Sequence, residues 1–102
     1  LQDSVRLWSD ITAEIGTKAN EDPDAPGAAA YDYLFLSAYI CLAYWWAEMA
    51  RVAAAGGDAE LARAKTETAI FYFERILPRT TQHAAAIRSG SRSLMAMDSA
   101  LF

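Results

Sequence analysis

The stretch AAAYDYLFLSAYICLAYWWAEMARVAAA, residues 28–55, decides the fold. At about 100° per residue, Ser37, Tyr44, Glu48 and Arg51 fall on one narrow stripe. Nearly everything else is apolar: Leu34, Phe35, Leu36, Tyr39, Ile40, Leu42, Trp45, Trp46 and Met49. A helix that is apolar over most of its circumference is expected to be buried on several sides. Ala43, Ala47 and Ala50 form a small-residue strip where another helix can come close. Gly56-Gly57 ends the segment, with a left-handed residue easy there. The uncharged run Tyr33–Ala47 is 15 residues, short of the roughly 18–20 that a membrane span needs. With Asp32, Glu48 and Arg51 at its flanks, a core helix is the expectation.

Three shorter helices are expected around it. Residues 4–19 place Val5, Trp8, Ile11 or Thr12, and Ile15 at helical spacing, with Asp3 or Ser4 as the cap. Residues 20–27, which contain Pro23, Pro26 and Gly27, are expected to be a loop. A third helix covers 58–77 with Asp58 as N-cap. Its wet face is Glu60, Arg63, Glu67 and Glu74, and its apolar face Leu61, Ala69, Tyr72, Phe73 and Ile76. Phe71 falls within the charged stripe. Pro78 lacks an N–H and clashes with the preceding turn, so a kinked continuation over 79–88 is predicted, ended by Gly90. Residues 91–101 form a last short helix anchored by Leu94, Met95, Met97 and Leu101. The fold class is all-α: an up-and-down bundle of three main helices, the third kinked at Pro78, plus a short C-terminal one.

Composition excludes several functions. The 102 residues carry one Cys, one His and a net charge of -4. A disulfide framework, a cysteine-built zinc site and a multi-histidine site cannot be assembled from this chain. No basic excess is available for a nucleic acid. Charge is uneven: residues 1–32 hold seven acids against Arg6 and Lys18, while residues 33–102 hold six acids and seven bases. The opening Leu1-Gln2-Asp3-Ser4 reads as the interior of a longer sequence, and residues 1–102 as one helical domain cut from it.

The chemistry-bearing residues offer little. No glycine-rich phosphate loop, zinc-protease helix or nucleophile elbow is present. His83 has Arg79 and Ile87 at i±4, so no carboxylate on its own helix orients it, and a surface or helix-face residue rather than a general base is expected. Cys41 is expected to be a small buried hydrophobe. Glu48 and Arg51 form an i,i+3 surface ion pair. Arg88 and Arg92, beside the helix start at Gly90-Ser91, are a candidate anion site against a default of solvated arginines. The aromatics of residues 31–46 are expected in the core, with a cofactor-pocket lining as the alternative. Catalytic residues expected: none; metal ligands: none; cofactor-binding residues: undefined.

Two segments carry a resemblance. Lys65–Pro78 contains TAIFYFERILP, followed by His83, Ile87 and Gly90, and Ser93–Asp98 contains LMAMD. Together they resemble the C-terminal domain of the larger bacterial acyl-CoA dehydrogenases, in which a TA-x-FY-x-ER-[IL]-LP helix precedes a glycine and an LM-x-[LM]-D ending. Tyr44-Trp45-Trp46-Ala47 is similar to the preceding helix of that domain, and the likeness runs over roughly the whole chain. The subgroup it resembles most is the enzymes acting on 3-methylmercaptopropionyl-CoA and related acyl-CoAs. The resemblance implies a parent flavoprotein of fatty-acid-type metabolism. There FAD and the acyl-CoA thioester bind upstream domains, a glutamate removes the α-proton, the β-hydride passes to the flavin, and an electron-transfer flavoprotein takes the electrons. No residue here matches that glutamate.

The expected role is an accessory domain without catalytic residue or cofactor of its own. It packs on the upstream dehydrogenase domains or a neighbouring subunit of a cytoplasmic homo-oligomer, with no nucleic acid and no membrane span. A lid contacting the CoA portion through Arg88 and Arg92 and a free-standing protein–protein interaction module are the alternatives.

Overall fold

The computed structural model describes residues 1–102 and contains helices only. Helix α1 spans Gln2–Glu21, α2 Ala25–Ala55 and α3 Ala59–Phe71. A π-helical turn over Tyr72–Ile76 joins α3 to α4, Arg79–Arg88. The chain ends in α5, Arg92–Met95, and a 3-10 turn, Ser99–Leu101. The all-α, kinked architecture follows the sequence reading.

The loop expected over 20–27 shrinks to residues 22–24. Pro26 falls in the first turn of α2, where no N–H is required and a fixed φ suits the helix. Asp22 supports the reversal, its Oδ1 accepting the Asp24 N–H at 3.0 Å. Neither Asp3 nor Ser4 caps α1, which already starts at Gln2. Asp58 does cap α3, its carboxylate accepting the Leu61 N–H at 3.0 Å. Gly56 leaves α2 extended, at φ -80° and ψ 172°, rather than left-handed. The left-handed residue is Gly90, φ +78°, after α4.

Pro78 explains the turn before it. Its ring cannot follow a regular helix, and the ladder widens one residue early: the Leu77 N–H reaches the Tyr72 carbonyl at 2.9 Å, an i→i+5 bond. Where this turn begins, Tyr72 is buried in the core, and Phe71 just before it is exposed, as the regular helical spacing of α3 predicts.

The core joins Ile11 of α1, Ala29, Leu36, Ile40 and Ala43 of α2, and Tyr72, Leu77, Ala84 and Ile87 of the kinked third limb. Trp8, Ile15, Phe73 and Ile76 pack partly against it. All the buried residues of α2 lie at or before Ala43. The first half of α2 meets α1 at Thr12–Tyr33 and α4 at His83–Asp32, and its second half faces α3 at Leu61 and Lys65.

The result is long and thin, 64 × 29 × 15 Å. The radius of gyration is 18.1 Å, against about 13 Å for a compact chain of this length. The accessible surface is 7209 Å², whereas a monomer of this mass is expected to show about 5,700 Å². This corrects the expectation that α2 is buried on several sides. Tyr31, Leu34, Leu42, Tyr44, Trp45 and Val52 are exposed. So are Leu61 and the intended anchors Leu94, Met95, Met97 and Leu101. Two α-helical layers bury one face of α2 and leave the other open.

Candidate functional site

Polar side chains meet where the helices join. His83 of α4 and Asp32 of α2 pair across the helices, Nδ1 to Oδ1, at 2.8 Å. Both are largely shielded, at 15% and 24% side-chain exposure. The imidazole stacks on Phe35 with centroids 5.6 Å apart and planes 14° apart. Tyr39 and Tyr31 complete an aromatic wall at 5.8 and 6.4 Å. The carboxylate missing from His83's own helix is thus supplied by another. On a helical wheel Asp32 lies within about 40° of the Leu36 side of α2. A charge so close to the buried face is the signal that could have revealed it.

A second junction ties α1 to the end of α4. The Arg88 guanidinium donates to both Glu14 oxygens at 2.9–3.3 Å. Lys18 Nζ donates to the Arg88 carbonyl at 3.3 Å. The Ser91 hydroxyl donates to Asp22 Oδ2. The Arg88 fork holds the Glu14 carboxyl below its ordinary range, and the Ser91 hydroxyl with the Asp24 N–H does the same for Asp22. This overturns the candidate anion site: Arg88 is already engaged by a carboxylate, and Arg92 stands apart in the exposed α5.

The remaining candidates fall as follows. Glu48 and Arg51 form the predicted pair at 2.8 Å. Cys41 is exposed rather than buried, because it lies on the uncovered side of α2. Tyr72 donates its hydroxyl to the Tyr39 carbonyl at 2.5 Å, and burial pushes its pKa up to about 12. No three metal-ligating side chains converge.

Two concavities flank α2. One, about 770 Å³, runs between α1 and α2 over Thr12, Gly16, Ala29, Tyr33, Leu34 and Ser37. The Thr12 and Tyr33 hydroxyls bond each other there at 2.7 Å, and the buried Ser37 Oγ has no partner. The other, about 350 Å³, is walled by Trp45, Met49, Val52, Leu61 and Lys65. The first has no cationic side chain to receive a pyrophosphate and does not fit a flavin dinucleotide. Neither gathers an acid, a base and a nucleophile. What the arrangement offers chemically is apolar surface braced by polar junctions.

The geometry is that of a thin helical slab with a long apolar flank. The family described as "Acetyl-CoA dehydrogenase C-terminal like" matches residues 1–98, and the chain belongs to it. No curated protein and no solved structure gives a significant match. No helix is long and apolar enough to cross a membrane.

Proposed function

We propose that residues 1–102 form one helical domain at the C-terminal end of an FAD-dependent acyl-CoA dehydrogenase. The domain packs against the dehydrogenase core or a neighbouring subunit and contributes no catalytic residue. FAD and the acyl-CoA belong to the upstream domains, where α,β-dehydrogenation takes place and from which an electron-transfer flavoprotein is reduced. The family membership over residues 1–98 carries this reading. The excess of exposed surface supports the packing role: a slab 15 Å thick encloses one narrow core and leaves many of its apolar residues exposed. A cytoplasmic homo-oligomer is the setting proposed for the parent. The resemblance of Lys65–Pro78 to enzymes of 3-methylmercaptopropionyl-CoA puts short thioether acyl-CoAs first among the substrates to assay.

The test uses the full-length protein and a version lacking this domain. The intact protein is expected to show flavin absorption and acyl-CoA-dependent reduction of an electron acceptor. Removing the domain is expected to impair assembly or thermal stability. Unchanged assembly and activity would overturn the packing role. The exposed outer side of α2 also suits a free-standing interaction module; a short, flavin-free natural product would favour that second reading.

A further inference from the structure

The uncovered side of α2 has a pattern of its own. Tyr31, Leu34, Ala38, Leu42, Trp45 and Val52 lie within an arc of about 80°, directly opposite the side that buries Leu36 and Ala43. All six are exposed, Leu34 at 65% and Trp45 at 58%. The line is about 32 Å long at the helical rise, and no charged residue falls between Tyr33 and Ala47. At its edge Glu48 and Arg51 already neutralise each other.

We infer that this face pairs with the same face of a second copy of the chain. The two α2 helices cross antiparallel about a two-fold axis between Cys41 and Leu42. That axis passes through the midpoint of the line, and it makes the surface complementary to itself. Trp45, the largest side chain of the line, comes opposite Ala38, the smallest, and this happens twice. Leu34 comes opposite Met49, and Tyr31 opposite Val52. An isologous interface requires a patch that fits its own rotated image. The Trp45–Ala38 match is the relation that a two-fold contact asks of one helix, and the half-buried Met49 lies at the margin of the patch.

The area agrees. The accessible surface of 7209 Å² exceeds that of a compact chain of this mass by about 1,500 Å². A stable dimer covers about 800 Å² per partner, so one such contact fits within the excess and leaves apolar surface on α3 and the C-terminal segment for the parent. The inference does not depend on the dehydrogenase reading.

The native Cys41, beside the axis, serves as the reporter. Full-length protein is treated with a short bismaleimide, and linked peptides are mapped by mass spectrometry. The expected result is a Cys41–Cys41 link between copies, absent in Cys41→Ser. Leu42→Lys puts like charges together at the axis, and Ala38→Trp sets two large rings against each other. Each is expected to lower the yield of the link about tenfold or more. Both positions are exposed and outside the core, and circular dichroism verifies that the variants remain helical. Ala38→Trp is the sharper variant, because adhesion through apolar area alone would strengthen with the added ring. A yield that rises or stays level with Ala38→Trp overturns the proposal. So does the absence of the link in a protein whose α2 face is protected from hydrogen exchange; another domain is then the occupant. Flavin content measured on the same sample judges the dehydrogenase reading separately.

Discussion

The His83 imidazole bonds Asp32 across two helices at 2.8 Å while lying flat on Phe35. The pair fixes how α4 lies along α2, because the same ring is held at its edge by a carboxylate and on its face by an aromatic. Removing the carboxylate leaves a half-buried ring nitrogen unpaired. Asp32→Ala is expected to cost about 1–3 kcal/mol. Asp32→Asn keeps an acceptor and is expected to cost less. Denaturant unfolding of both variants checks the order, and equal losses would show that packing rather than the hydrogen bond sets the alignment.

Two glycines are expected to respond in opposite directions. Gly90 sits at φ +78°, so Gly90→Ala carries a left-handed penalty of about 1 kcal/mol or more. Gly16 lies inside α1, and a Cβ there meets nothing within 4 Å. Gly16→Ala is expected to stabilise by about 0.5–1 kcal/mol. Thermal melts of the two variants read both signs.

Acid is expected to loosen the α1–α4 junction. Glu14 and Asp22 both have pKa values lowered in the fold, by Arg88 and by Ser91 respectively. Their contribution is complete above the unfolded carboxylate values near pH 4 and disappears as pH falls through the lower folded values. The contribution of these two carboxylates is expected to be flat from pH 7 to about 5 and to decline below about 4. Glu14→Gln is expected to flatten part of that decline, measured by melts across pH. Glu14 is exposed and Asp22 only partly so, and the Glu14–Arg88 share of the effect is expected to weaken with salt.

Base acts on Tyr72. Its pKa, raised to about 12 by burial, favours the neutral phenol in the fold. The stabilisation is complete below the unfolded value of about 10 and is lost as pH rises through the folded value. Of the five tyrosines, one is expected to ionise late in a spectrophotometric titration. That late component is expected to vanish in Tyr72→Phe, which gives up the bond to the Tyr39 carbonyl at about 0.5–1.5 kcal/mol.

Much of this was legible in the sequence, for local reasons. The helices, the Asp58 cap, the kink at Pro78 and the exposure of Phe71 follow from spacing and backbone chemistry. What escaped depends on which elements become neighbours. Hydropathy along residues 28–55 shows that many sides of α2 are apolar, but not which sides a chain this short can cover. Hydropathy alone puts Cys41 and Trp45 in a core, and both face outward. The Leu94–Leu101 anchors failed for the same reason, since nothing in the chain lies opposite them. The sequence around Arg88 shows no partner for it, because Glu14 lies 74 residues earlier. The family emerged from TAIFYFERILP because that segment encodes a backbone device, the turn before Pro78, and not a chemical one.

The π turn over Tyr72–Ile76 works as a phase adjuster. One surplus residue in the winding offsets everything downstream by about 100° and 1.5 Å. Deleting a residue there would let the helix wind evenly up to the proline. It would also swing His83 away from Asp32 and Arg88 away from Glu14, although neither pair had been touched. A single-residue length change in this segment is therefore a change of angular setting for the last third of the chain. Drift in length is easily absorbed at residues 22–24 or 56–58, but in this turn it dislocates every partnership beyond it.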